Sequence, residues 1–192
     1  MGSCIFLCLF CWKSYKLFSF LYNTPEVNSM DLCQVVVMEC FDENTTLYVS
    51  DLEYLETKLN PKEILDKMCL LQGSSMKGRV ESFKYVMNVQ MKIPVLVSLH
   101  KECIFFPLHG SSLMNNVWLQ YRYIDKLTSL DTSSCIVHFT NGFKIEVDVG
   151  ARVVYRQMRR CRNFILRMKS SVYSGEIIME EVCYNDSGDV NE

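Results

Sequence analysis

Hydrophobic and polar positions change their period along this chain, and the changes mark its elements. Gln34–Cys40 and Thr45–Ser50 read as short strands around the polar turn Asp42-Glu43-Asn44. Asn60-Pro61-Lys62-Glu63 is a helix start, with an Asn cap, Pro at the first position and Glu at the third. Ile64, Leu65, Met68 and Leu71 continue it at helical spacing, and Gly73 ends it. Gly73–Arg79 is a polar glycine loop, and the loose alternation from Arg79 to Val89 predicts a strand. Pro94–Leu99 and Cys103–Phe106 read as two strands joined at His100-Lys101-Glu102. A loop over Pro107–Asn116 follows, and then a strand over Val117–Lys126, with Trp118, Ile124 and Leu127 as core candidates. Cys135–Thr140 and Phe143–Val149 flank Asn141-Gly142, a strong hairpin signal. Strands fill the middle and helices flank them. The predicted class is α+β, a mainly antiparallel sheet with flanking helices, including a basic amphipathic helix near the C-terminus.

That last helix changes the charge picture. Between Asp148 and Glu176 there is no acidic residue, while Arg152, Arg156, Arg159, Arg160, Arg162, Arg167 and Lys169 lie between them. The chain holds 20 basic and 22 acidic residues, so outside these seven it carries 13 − 22 = −9. At about 100° per residue, Arg152, Arg156, Arg159, Arg160, Asn163 and Arg167 share one face. Val154, Met158, Cys161, Ile165 and Met168 fall on the opposite face. One side can pack on a core while the other offers guanidinium groups to an anion. A charged helix face is usually a solvated surface. A row of Arg without a Glu in reach repels itself, however, and favours a polyanionic partner, nucleic acid first. Arg suits bidentate phosphate contacts and insertion into a narrow minor groove.

Composition bounds the rest. A chain of 192 residues, 49% apolar and 12% aromatic, supports one domain with a sizeable core. Ten cysteines look numerous, but the seven from Cys33 to Cys183 are scattered singly. They read as free, mostly buried thiols of a reducing cytoplasm. Residues 1–29 form an apolar extension whose run Cys4–Trp12 is too short to span a bilayer. We place the real start at Met30, the domain over residues 30–170, and an acidic tail over residues 171–192. The tail carries Glu176, Glu180, Glu181, Asp186, Asp189 and Glu192 with no base.

Chemistry is sparse. Gly73–Arg79 approaches a phosphate loop, but Arg79 stands where Lys is needed and Val80 where Ser or Thr would ligate Mg²⁺. Lys77 and Arg79 remain candidates for touching a phosphate backbone. Cys4, Cys8 and Cys11 have a radical-SAM spacing without the barrel such enzymes need. No second Cys pair or clustered His supports structural zinc. His100, His109 and His138 lack a local nucleophilic partner, and Cys103 sits in an apolar run. No catalytic residue, metal or cofactor is expected.

Several segments together resemble the ComK family of competence transcription factors. They are Gly73-Ser74-Ser75 with Gly78-Arg79, Pro94-Val95-Leu96-Val97 leading to Ile104-Phe105-Phe106-Pro107, and Val117-Trp118-Leu119 with Tyr123-Ile124. Val137-His138-Phe139-Thr140-Asn141-Gly142, then Gln157 and the helix, complete the set, in order over roughly Met68–Phe164. The resemblance implies a cytoplasmic transcription activator of DNA-uptake genes. It implies binding to paired AT-rich boxes of double-stranded DNA, largely from the minor groove, as a homo-oligomer. It also implies a proteolytic adaptor as partner, since some members are controlled that way. The Arg run is denser than the family pattern, and the tail after Lys169 matches none of it.

The expected DNA-binding set is Arg152, Arg156, Arg159, Arg160, Asn163, Arg167, Lys77 and Arg79, with Arg122 and Lys144 as outlying candidates. The competing reading is a non-catalytic interaction module whose Arg row binds an acidic partner or the chain's own tail. A more distant one is membrane association through residues 4–22.

Overall fold

The computed structural model describes residues 32–41, 44–50, 53–110 and 116–174. The N-terminal extension, Cys4, Cys8 and Cys11, and the acidic residues of the tail lie outside the described residues.

Among the described residues, nine strands and three helices give the α+β architecture expected. A six-stranded sheet has the order β3-β2-β1-β6-β5-β4, and a three-stranded sheet the order β7-β8-β9. In the larger sheet β1 is Val37–Phe41, β2 Asn44–Tyr48, β3 Tyr54–Thr57, β4 Val95–Ser98, β5 Cys103–Pro107 and β6 Val117–Gln120. In the smaller one β7 is Ile124–Ser129, β8 Cys135–Phe139 and β9 Lys144–Val147. Every neighbouring pair is antiparallel.

Strands β4, β5 and β6 of the larger sheet are buried on both faces, so they read as near-continuous apolar runs, whereas β2 and β3 keep exposed positions. Val95, Val97, Cys103, Phe105 and Trp118 join one core, with Ile64, Leu65 and Met68 of helix α1 (Pro61–Leu70). Leu96, Ile104, Phe106 and Leu119 join the other, with the smaller sheet and helix α3 (Ala151–Ser174). Alternate side chains of the same strands feed the two cores, as the period of two requires.

Helix α1 starts as read. The Asn60 side chain accepts from the Glu63 N–H at 3.0 Å, and the Glu63 carboxylate accepts from the Asn60 N–H at 2.9 Å. The strand expected over Arg79–Val89 is not there. Met76–Met87 form helix α2 instead, capped by the Ser75 hydroxyl, which accepts from Gly78 N–H at 3.1 Å. The physical reason is the spacing Met76, Val80, Phe83, Met87, a helical stripe hidden among alternating polar residues. Phe83 is fully buried. Asn88 closes the helix in the left-handed region at φ 49.

The single strand expected over Val117–Lys126 is also divided. A 3₁₀ turn at Tyr121–Tyr123 carries the chain from the larger sheet to the smaller. Trp118 and Ile124 are buried as expected, and Leu127 is half-buried. At the Asn141-Gly142 hairpin the Gly142 N–H donates to Phe139 carbonyl at 3.0 Å, and Gly142 takes φ 91. That is backbone only glycine adopts without strain.

Candidate nucleic-acid interface

Helix α3 begins where the chain leaves β9, and Gly150 fixes the place. A Cβ there would stand 2.2 Å from the Thr132 carbonyl oxygen, so only glycine lets the helix start against the β7–β8 turn. Val154, Gln157, Cys161, Phe164 and Ile165 are buried along one stripe. The Phe164 ring packs on Phe83 of α2 at 4.5 Å between centroids. Gln157 is the surprise within that stripe. Its amide nitrogen donates to the carbonyls of Lys92 at 2.8 Å and Pro107 at 3.3 Å. Its amide oxygen accepts from Arg160 at 3.1 Å. Both N–H groups and the oxygen are thus used. A fully satisfied buried amide fixes the rotation of the helix against the ends of β4 and β5.

With the helix so anchored, its arginines have two fates. Arg152, Arg156, Arg159 and Arg162 are exposed and line an open groove of about 840 Å³ with Tyr121, Val153, Tyr155 and Met158. Among the described residues no hydrogen bond or ion pair holds any of these four guanidinium groups. Burial foremost, then nearby Cys161 and Glu102, raise the Tyr121 phenol above its usual range against the pull of Arg162. Arg160 and Arg167 are held by the fold. Arg160 also donates to the Met91 carbonyl at 3.4 Å, and Arg167 donates to the Val86 carbonyl in the last turn of α2 at 2.6 Å. Lys169 pairs with Glu102.

The remaining expected residues are placed as follows. Asn163 is exposed on α3 but is not among the groove-lining side chains. Lys77 is exposed in the first turn of α2. Arg79 donates to the Gln72 carbonyl at 3.1 Å, and its Nε is buried without a partner. Neither Lys77 nor Arg79 lines the groove. Arg122 donates to the Lys101 carbonyl at 2.7 Å.

The family model described as the ComK protein matches residues 23–172, more than three-quarters of the chain. The chain belongs to the ComK family. It is 24% identical over 102 residues to a protein named competence transcription factor from Bacillus subtilis (strain 168). The alignment covers 53% of this chain and 53% of that one, so the chain spans about half the length of this curated relative. No solved structure matches.

Every groove-lining residue falls inside the span matched to the ComK family. The site expected from the sequence lacks five of them: Tyr121, Val153, Tyr155, Met158 and Arg162. Arg162 was counted among the bases but not placed on the shared face, although Tyr155, Arg159 and Arg162 follow the helical spacing of four and three. Tyr155 was available by the same rule. Tyr121 had no sequence signal, because only the 3₁₀ turn brings it to the helix.

Two of the three histidines are engaged elsewhere. His109 meets Asp148 at 2.8 Å and His138 meets Thr128 at 2.8 Å. Cys33, Cys40, Cys69, Cys103, Cys135 and Cys161 are free and buried. Among the described residues, no helix is long and apolar enough to cross a membrane.

Proposed function

We propose that this chain is a DNA-binding transcription regulator of competence genes, a binding protein and not an enzyme. It reads AT-rich boxes of double-stranded DNA through the minor groove, in the cytoplasm, as a homo-oligomer. The observation that carries this reading is the open groove with four exposed arginines that have no partner among the described residues, on a helix anchored by Gln157. Membership of the ComK family and the name of the Bacillus subtilis relative point the same way.

The physical argument joins three facts. Guanidinium groups neutralise phosphates and release counterions, which supplies affinity. A-tract minor grooves are narrow and electronegative, and Arg is the side chain that exploits them. Arginines already bonded to carbonyls gain less from DNA, so Arg152, Arg156, Arg159 and Arg162 lead the site. Asn163, Arg160, Arg167, Lys77 and Arg79 lie outside its centre. A proteolytic adaptor is proposed as a further partner.

The test is fluorescence anisotropy of the full chain with two duplexes over a salt series. One duplex has paired A- and T-tracts and the other is GC-rich. The reading requires tract-selective binding whose log–log salt slope is near −0.9 per phosphate neutralised, about −4 for four contacts. Equal binding to both duplexes would reduce the groove to a generic basic surface. Absence of binding to either would favour an acidic protein partner or the chain's own tail.

A further inference from the structure

A second cluster lies away from the arginine groove, at the end of β6. Strands β1 and β5 flank β6, with Val37 and Phe106 both opposite Leu119. Strand β6 stops at Gln120, and the chain before β1 and the start of β5 run on past it. Cys33, in the 3₁₀ turn Leu32–Gln34, and Cys103, the first residue of β5, close over the gap with their thiols hydrogen-bonded to each other. Gln120 is wholly buried beneath them. Its amide nitrogen donates to the Cys103 sulfur and to the Cys33 carbonyl, each at 3.1 Å. Lys101 and Arg122 bring two cations to the same place, joined by the bond from Arg122 to the Lys101 carbonyl.

The two thiols differ. The hydrogen bond from Cys103, with Lys101 and Arg122, outweighs burial and draws Cys33 down to about 7. The same hydrogen bond and burial push Cys103 well up. Elsewhere, burial pushes Cys69 up to about 11 and raises Cys135 and Cys161. A thiolate beside cations is the nucleophilic form of cysteine, and a buried apolar thiol is inert.

We propose that Cys33 and Cys103 form a peroxide-reactive site, in which Cys33 is the attacking thiolate and Cys103 the resolving thiol. The Cys33 sulfur attacks one oxygen of a hydroperoxide, and the O–O bond breaks. The leaving oxygen takes a proton and departs as water, or as an alcohol from an organic peroxide. Cys33 is then a sulfenic acid. The Cys103 sulfur attacks the Cys33 sulfur, the S–O bond breaks, and the hydroxyl leaves as water with the Cys103 proton. Two thiols are oxidised by two electrons to one disulfide, and one peroxide is reduced. The Gln120 amide, bonded to the Cys103 sulfur and the Cys33 carbonyl, keeps the two residues side by side for the second step.

Reduced full-length protein is treated with hydrogen peroxide at near-equimolar amounts, alkylated and digested with trypsin. Cys103 is the sole cysteine of residues 102–122, and Cys33 lies with Cys40 in residues 17–58. Fragmentation of the joined peptides should place the bond at Cys33–Cys103. It should form about tenfold faster than any other cysteine is consumed, and dithiothreitol should reverse it. Cys103→Ser should leave Cys33 as a sulfenic acid trapped by dimedone. Cross-links through Cys40 or Cys69, or consumption of other cysteines first, overturn the assignment. Both thiols are buried, so a second variant spares the core. Lys101→Ala with Arg122→Ala should slow Cys33 consumption about fivefold, and an unchanged rate overturns the role of the cations.

Discussion

Two groups of arginines stand on helix α3, alike in sequence and different in the fold. Arg160 and Arg167 turn toward α2 and the turn before β4, where backbone carbonyls of Met91 and Val86 take their N–H groups. Val86 lies in the last turn of α2, where unsatisfied carbonyls favour a cation. Arg152, Arg156, Arg159 and Arg162 line the groove and are held by no partner among the described residues. Charge patterning therefore marks a helix as basic but does not say which bases are free. The difference lies in what stands beside each turn of the helix, and that is set by tertiary packing.

The sharpest way to break this division is to remove the groove group. Changing Arg152, Arg156, Arg159 and Arg162 to Ala together should weaken duplex binding about 100-fold or more near 0.1 M salt. The salt slope should fall by about 3.6, at roughly 0.9 per lost contact. Thermal unfolding should move little, because exposed side chains off the core rarely matter by more than about 0.5 kcal/mol. Retained affinity in this variant would end the assignment of the groove as the DNA site.

Anchoring is the next layer. Gln157→Ala leaves the carbonyls of Lys92 and Pro107 without their donor and removes packing from a buried stripe. A loss of about 2–3 kcal/mol in urea unfolding is expected. DNA affinity should fall as well, although Gln157 does not line the groove, since the helix is then free to rotate. Stability lost with affinity unchanged would show that packing by Phe164 and Cys161 fixes the helix without the amide.

Exchanging the bound arginines should give the mirror image of the groove variant. Arg160→Ala with Arg167→Ala should cost about 1 kcal/mol of stability, after discounting for their partial exposure, and change affinity by no more than about threefold. A larger loss of affinity than of stability would place these two guanidiniums on DNA as well, and the distinction between the groups would fall.

How far this was legible depends on where the determining contacts lie. Asn60 and Glu63 form a local box, so the start of α1 was readable from four residues. The Asn141-Gly142 turn was readable for the same reason, and the stripe of α3 in part: Val154, Cys161 and Ile165 are buried, but Met158, expected on that face, lines the groove, and Gln157 and Phe164 take its place in the stripe. Helix α2 was not. Gly78 within it and the period-two apolar positions Phe83, Tyr85, Met87 and Val89 imitate a strand, and the deciding fact is that Phe83 finds Phe164 on another helix. Gln157 stands in an apolar stripe as a polar residue without local explanation; its partners are 65 and 50 residues away. Tyr121 reached the groove only through a turn that divides an apparently continuous strand. Of the candidate site, the helix was legible, its basic face was legible, and the separation of free from bound arginines was not.

The smallest expected effect concerns the turn on which α3 leans. Asp131 accepts from the backbone N–H groups of Ser133 at 2.6 Å and Ser134 at 2.7 Å, and from both hydroxyls at 2.9 Å. The Ser133 backbone bond foremost, with the other three, holds its carboxyl at about 2, below the ordinary 3.8. A depressed folded value means that the charged turn stabilises the fold above the unfolded value, and that this contribution is lost as pH falls from about 4 to about 2. Thr132, whose carbonyl abuts Gly150 at the start of α3, sits inside that turn. The urea midpoint should therefore fall less steeply between pH 4 and 2 in Asp131→Asn than in the unaltered chain. Equal slopes would mean that Asp131 contributes nothing to acid sensitivity.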